Sequence, residues 1–269
     1  MFFLHHIPAP PLSDFIDSFW IYEHDPQPHA LDRILPTGAL SLIINLCEDS
    51  IRNYNPADTR RFEIQSGSLL VGAYSEYTVI DTACQAGVLG ISFKPGGAFP
   101  FLRMPASELH NLQVPLDALW GTNGTSLRSR LLDAPGYDAK FAILERFLLD
   151  RAKDVPVQDP AVKFALKEIC GKPVSEVTAQ IGLTPKQFIR IFREEVGLTP
   201  KLYCRIQRFQ SVVRRIHRGQ RLEWADMAVS CGYFDQSHFA HDFRAFSGVT
   251  PAVYANHRGP YENHLRIRD

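Results

Sequence analysis

The sequence predicts an α+β chain in two parts. A β-rich, sandwich- or barrel-like N-terminal domain with trailing helices precedes an all-α domain of two helix-turn-helix units joined by a long helix. Three observations predict it. As far as Phe93, short β-branched and aromatic runs alternate with turn residues. Beyond Gly97 the apolar residues recur with helical period. The charge divides as well: residues 1–159 hold 12 Lys+Arg against 19 Asp+Glu, a net of −7, and residues 160–269 hold 17 against 10, a net of +7. An acidic half joined to a basic half reads as two domains, the basic one suited to a polyanion. A chance fluctuation between two soluble domains would give the same numbers, so charge does not decide the matter alone.

In chain order, Pro10-Pro11 stops any preceding element, and Leu12 to Ser18 reads as a short helix. Strands follow at Phe19 to Glu23, Ala39 to Leu46, Arg61 to Ile64, Ser68 to Gly72, Tyr77 to Thr82 and Val88 to Phe93. Pro36-Thr37-Gly38 and Asn53-Tyr54-Asn55-Pro56 are read as turns between them. Ala139 to Arg151 places Ile143, Leu144, Phe147 and Leu148 on one helix face. The domains are therefore set at 1–153 and 161–257, with a Pro-containing linker at 154–160 and a tail at 258–269.

Every segment beyond Pro160 is helical by period. Ala161 to Cys170 is stopped by Gly171 and Pro173, and Val174 to Ile181 ends at Gly182. Thr184-Pro185 supplies an N-cap and first-turn proline for a helix to Val196, and Thr199-Pro200 repeats the signal for a helix to about Arg218. Leu222 to Cys231 and Gln236 to Phe246 complete the set, the latter capped by Asp235. The region is duplicated. Val177, Thr178 and Gly182 match Met227, Ala228 and Gly232 at an offset of 50. Phe188, Phe192, Gly197 and Thr199-Pro200 match Phe239, Phe243, Gly248 and Thr250-Pro251 at 51. Each copy is a helix, a tight glycine-containing turn and a second helix.

The outer faces of the second helices indicate the chemistry. With Phe188, Ile191 and Phe192 inward, Lys186, Ile189, Arg190 and Arg193 point away. With Phe239, Phe243 and Phe246 inward, Gln236, Ser237, His238, Ala240, His241 and Arg244 remain. Arginine pairs with guanine and glutamine with adenine in a groove that admits one helix, and Ile189 suits a thymine methyl or an ordinary exposed position equally. Lys172, Arg193, Lys201, Arg205 and Arg244 are the expected phosphate contacts. The joining helix, about 27 Å long, carries Leu202, Ile206, Phe209, Val213 and Ile216 on one face and can hold both hairpins in one frame.

Residues 160–256 resemble the double helix-turn-helix domain of the AraC/XylS family of bacterial transcription regulators. Cys231-Gly232-Tyr233, Gln236-Ser237-His238-Phe239, Phe243-Arg244, Gly248-Val249-Thr250-Pro251 and Tyr254 are close to its signature, and the first copy fits as well. The resemblance implies base contacts from Lys186, Ile189 and Arg190 in the first recognition helix and from Gln236, Ser237, His238 and His241 in the second. Many members carry Ser-Arg where this chain has Ala240-His241, which makes one contact titratable. Phe93-Lys94-Pro95-Gly96-Gly97-Ala98, Phe101-Leu102, Val114-Pro115-Leu116 and Leu119-Trp120-Gly121 are similar to an uncharacterised sensor-type domain that often precedes such modules. That likeness implies a sensing or dimerising role and no particular ligand.

Other chemistries find little to rest on. No HxH or HExxH spacing joins His5, His6, His24, His29 and His110, and His238 with His241 already belongs to the duplicated motif. Gly96-Gly97 could cradle an anion or simply form a strand-to-helix turn. Cys47 and Cys84 are candidate thiol sensors or structural cysteines, and Trp20, Phe101 and Trp120 line a pocket or the core. Ser66-Gly67-Ser68 is not a nucleophile elbow. We expect no enzyme, cofactor or metal. Five cysteines without CxxC, an N-terminus without a basic secretory region and no long apolar run suggest a cytoplasmic protein outside any membrane. The expected partner is double-stranded promoter DNA; RNA polymerase, a small-molecule effector and a second copy of the chain are further candidates. The rival readings are a ligand-binding or catalytic N-terminal domain with DNA binding as an accessory, and a protein adaptor without DNA affinity.

Overall fold

The computed structural model describes residues 2–25, 30–152, 158–220 and 223–267. The expected linker falls mostly outside these residues, as do Leu222 and His29. The N-terminal part is built from two antiparallel sheets. The larger contains β1 (Phe2–His6), β2 (Ile16–Glu23), β4 (Ser41–Asn45), β7 (Ser68–Val71), β9 (Gly87–Phe93) and β10 (Gln113–Pro115), ordered β1-β2-β9-β4-β7-β10. The smaller is ordered β11-β3-β8-β5-β6, from β3 (Leu31–Ile34), β5 (Ser50–Asn55), β6 (Asp58–Ser66), β8 (Thr78–Asp81) and β11 (His264–Arg266). Leu42 and Ile44 are fully buried, as period-two alternation in β4 requires, and β9, between β2 and β4, is buried along most of its length, with Leu89 and Ile91 fully so.

Four helices follow: α1 (Phe99–Leu102), α2 (Leu116–Trp120), α3 (Thr122–Asp133) and α4 (Tyr137–Ala152). Phe141 of α4 stacks on Phe19 of β2 at 6.2 Å and on His6 of β1 at 5.0 Å, which fixes α4 against the larger sheet. Burying each such side chain contributes about 1.5–3 kcal/mol.

Several elements differ from expectation. Leu12 to Ser18 is not a helix: only Leu12–Asp14 form one 3-10 turn, and β2 has begun at Ile16. Ile16 and Ser18 are buried on either side of exposed Asp17, a strand period that a short window masks. The turn read at Asn53 to Pro56 starts later, because Asn53, Tyr54 and Asn55 belong to β5. Its buried residues, Ile51 and Tyr54, lie three apart, so alternation fails there. The turn is closed by Asn55 Oδ1, which accepts the Ala57 and Asp58 N–H groups at 2.8 and 3.3 Å.

The C-terminal helices keep close to their expected bounds: α5 (Pro160–Glu168), α6 (Val174–Ile181), α7 (Pro185–Val196), α8 (Pro200–His217), α9 (Trp224–Ser230), α10 (Gln236–Ser247) and α11 (Pro251–His257). The segment assigned as a tail returns to the N-terminal sheet, with β11 pairing β3 so that Leu265 faces Arg33. One continuous apolar core joins the two parts. Gln210 of α8 is buried and donates to the Pro36 carbonyl and to Asn263 Oδ1, both at 2.8 Å, and Gln207 donates to the Thr37 carbonyl at 3.0 Å.

Candidate nucleic-acid interface

The first hairpin consists of α6 and α7. Gly182 ends α6 in the left-handed conformation, φ 70°, and returns its N–H to the Thr178 carbonyl. Thr184 then caps α7: its hydroxyl accepts the Gln187 N–H at 3.3 Å, while Gln187 Oε1 accepts the Thr184 N–H at 3.0 Å. Phe188 and Phe192 are fully buried, and Phe192 meets Tyr203 of α8 at 5.7 Å. The same rotation leaves Lys186, Ile189, Arg190 and Arg193 exposed.

The second hairpin, α9 and α10, repeats the plan. Asp235 accepts the His238 N–H at 2.7 Å, and Phe239, Phe243 and Phe246 are buried. Phe209 of α8 lies 5.0 Å from Phe243 and 5.3 Å from Phe246, so α8 carries both hairpins. Gln236, Ser237, His238, His241 and Arg244 are exposed, and Ala240 is half-buried. The two caps are worth about 1 kcal/mol each. Thr184→Ala and Asp235→Ala should each lower the melting midpoint by roughly 2–4 °C; unaltered melting and helicity would remove the caps from the account.

The duplication extends to the way each hairpin is seated. Gly197 and Gly248 are equivalent in the repeat, and both end their helices at positive φ, 86° and 73°. A Cβ on Gly197 would stand 3.1 Å from the Ala106 carbonyl oxygen, and one on Gly248 would stand 2.5 Å from the Tyr77 ring. The positive φ therefore favours glycine at both, and the close approach leaves little room for a side chain. The C-terminal turns of α7 and α10 thus rest on the N-terminal domain while their outer faces stay exposed.

Two of the expected phosphate contacts are otherwise engaged. Arg205 turns under α10: its Nη2 donates to Asp242 Oδ1 at 2.6 Å and its Nε at 3.2 Å, with the guanidinium 5.3 Å from the Phe246 ring centre. The Asp242 side chain is only 2% exposed, and His238 Nε2 and His241 Nδ1 lie 3.7 and 3.8 Å from its oxygens. Sequence reasoning passed over Asp242, although a carboxylate beside Phe239, Phe243 and Phe246 on an apolar stripe calls for a buried cation. Lys172 lies 2.7 Å from Glu168 and 3.9 Å from Glu176, and Glu168 raises its pKa through a hydrogen bond. Arg193, Lys201 and Arg244 are exposed. Arg190 pairs with Glu194 one turn on at 3.0 Å, an exposed bridge that costs little to open. Phe234, in the turn before α10, is 89% exposed, and no apolar periodicity in the sequence marks it.

The other candidates resolve simply. Gly97 packs on the Phe15 carbonyl, where a Cβ would come within 2.0 Å, and its N–H goes to the Lys94 carbonyl, so Gly96-Gly97 is a tight turn. Trp120 and Phe101 are core residues, with the indole N–H donated to the Phe101 carbonyl at 3.2 Å. Burial pushes the Cys84 thiol up to about 11, and Cys47 is also raised, chiefly by burial. Among the described residues no three His, Cys, Asp or Glu side chains cluster as metal ligands, and no helix is long and apolar enough to cross a membrane. An open cleft of about 560 Å³ lies on the N-terminal domain, lined by Tyr54, Phe62, Tyr74, Tyr77, Arg61 and Asn111 among others.

Two capped hairpins mounted on one helix, with exposed cationic and amide faces, define a protein of the DNA-binding helix-turn-helix class. Residues 177–257 match the family described as a helix-turn-helix domain, and residues 4–115 match a domain of unknown function (DUF6597). The chain thus carries a helix-turn-helix domain behind an N-terminal domain of unknown function. It is similar to ToxT from Vibrio cholerae, with 10% identity over 88% of this chain and 95% of that one and a TM-score of 0.46. For wild-type ToxT bound to an unsaturated fatty acid the values are 11%, 94% of each chain and 0.43. The C-terminal domain of AraT, a response regulator from Geobacillus stearothermophilus, matches at 20% identity over 38% of this chain and 89% of that one, TM-score 0.36. No curated protein is significantly similar. The helix-turn-helix domain supports a DNA-binding regulator of transcription.

Proposed function

We propose that this chain is a cytoplasmic, sequence-specific regulator that reads two adjacent major-groove segments of promoter DNA, one with α7 and one with α10. The observation that carries this reading is the shared arrangement of the two hairpins. In both, the phenylalanine stripe is buried, the C-terminal glycine turn is seated on the N-terminal domain, and the opposite face is exposed and polar. Lys186, Ile189 and Arg190 contact bases from α7, and Gln236, Ser237, His238 and His241 from α10. Arg193, Lys201 and Arg244 supply salt-dependent phosphate contacts. Lys172 joins them once its partly exposed pairs with Glu168 and Glu176 open, and Arg205 instead positions α10 through Asp242.

Modulation by the N-terminal domain has a physical route. Tyr77 lines the open cleft and also carries the Gly248 turn, so an effector that moved its ring would shift the end of α10. RNA polymerase and a second copy of the chain are further proposed partners.

The test is selection of bound fragments from a random duplex pool, followed by salt titration on the winning site. A steep fall of affinity with salt and a protected length near 20 base pairs are expected. Arg190→Ala should weaken binding by about 1–3 kcal/mol and relax preference at one base position. Unchanged affinity and preference would remove Arg190 from the base contacts, and no retention at low salt would overturn the regulator reading.

A further inference from the structure

We propose that Cys170 and Cys204 form an oxidant-responsive dithiol, which a hydroperoxide converts to an intramolecular disulfide tying the end of α5 to α8. The two sulfurs lie 3.0 Å apart and share a hydrogen bond, although the residues are 34 positions apart in sequence. Bonding requires the sulfurs to close by only about 1 Å. Cys170 is exposed at the turn after α5, so a small oxidant reaches it directly, and Cys204 is half-buried behind it.

The surroundings divide the roles of the two thiols. The hydrogen bond with Cys204 holds the Cys170 pKa below the ordinary thiol value, against burial, and the Arg208 guanidinium works in the same direction. Cys204 is raised, first through that bond and then by burial. Cys170, the exposed sulfur that an oxidant meets first, is the nucleophile, and Cys204, half-buried behind it, is the resolving thiol. The Cys170 thiolate attacks the terminal oxygen of the hydroperoxide, its O–O bond breaks, and the alcohol leaves with a proton, giving a sulfenic acid. The Cys204 sulfur then attacks the Cys170 sulfur; the S–S bond forms, the S–O bond breaks, and water departs with the second proton. The hydroperoxide gains two electrons and each thiol gives up one. None of the other cysteines has both features: Cys84 and Cys231 are buried, and Cys47 is raised by burial and by its acidic neighbours Glu23 and Glu48.

The position gives the link a consequence. Tyr203, next to Cys204, packs on Phe192 of the first recognition helix, and Arg208 lies over Tyr233 at 5.4 Å in the turn of the second hairpin. A bond at this point braces the helix on which both hairpins are mounted.

The experiment treats the reduced full chain with hydrogen peroxide, desalts it and maps peptides without reduction. The expected result is a loss of about 2 Da, one disulfide joining Cys170 to Cys204, and two thiols lost at a rate at least about tenfold above that of Cys47. In Cys204→Ser the Cys170 sulfenic acid should persist and be trapped by dimedone, and Cys170→Ser should lose the fast phase. The oxidised protein should melt several degrees later than the reduced one. A disulfide involving another cysteine, covalent dimers as the main product, or Cys170 reacting no faster than Cys47 would overturn the proposal. Mapping of the wild-type chain decides it even where a serine variant does not fold.

Discussion

Arg205→Ala is expected to destabilise the C-terminal helices by about 3–5 kcal/mol, toward the lower figure because the arginine side chain is 31% exposed. The cause is the carboxylate it leaves behind. Asp242 is shut in among Phe239, Phe243 and Phe246, and Arg205 meets it from α8 through both Nε and Nη2. Without that cation a buried charge must find water, take up a proton or lean on the two weaker histidine contacts. DNA binding falls as a result, because α10 is no longer held in place. The salt dependence separates this from a lost phosphate contact: the slope of affinity against salt should stay as in the wild type. Asp242→Asn in the Arg205→Ala background should restore most of the stability by removing the orphaned charge. A melting curve identical to the wild type, together with a salt slope smaller by about one, would return Arg205 to the phosphate contacts.

The same residue marks how far the sequence could be read. The helical half is legible because its signals are local. Thr184-Pro185 and Thr199-Pro200 begin helices where caps and prolines belong, Gly182 and Gly197 end them, and the phenylalanine spacing fixes which face turns inward. Which residues stay exposed follows from that rotation alone. The fate of Arg205 does not, since its partner lies 37 residues away on another helix and only the packing of α8 against α10 brings them together. The sheets show the same limit. β4 alternates and β9 is a nearly continuous buried run, and both are legible; β5 has neither pattern, and β11 has three residues whose pairing partner lies more than 200 positions earlier. Short strands derive their stability from neighbours, and neighbours distant in sequence leave no local pattern.

A second carboxylate on an apolar stripe makes stability depend on pH. Glu195, in the last turn of α7, is 5% exposed; its Oε1 accepts the Asp159 N–H at 2.9 Å, and its Oε2 has no partner. Burial, together with the charges of Asp159 and Glu194, pushes its carboxyl up to about 7. The folded chain therefore retains this proton to higher pH than the unfolded chain, whose value is near 4.5. Between those two values the native state binds more protons, so its stability falls as pH rises and levels off above about 7, a total of about 3 kcal/mol. Glu195→Gln keeps the acceptor for Asp159 and removes the charge. Denaturant unfolding at pH 5 and 8 should show little difference from the wild type at the lower pH and a gain of up to about 3 kcal/mol at the higher. The bond involved joins α7 to the residue that caps α5, since Asp159 Oδ1 accepts the Ala161 N–H at 2.8 Å. Ionisation of Glu195 sets its charge against that of Asp159, the cap of α5, so the entrance to the helical domain should loosen first, and amide exchange in α5 should quicken above pH 7 in the wild type and stay level in the glutamine variant. Equal pH dependence in the two proteins would show that Glu195 is ionised across the whole range and that its cost is met by contacts other than these.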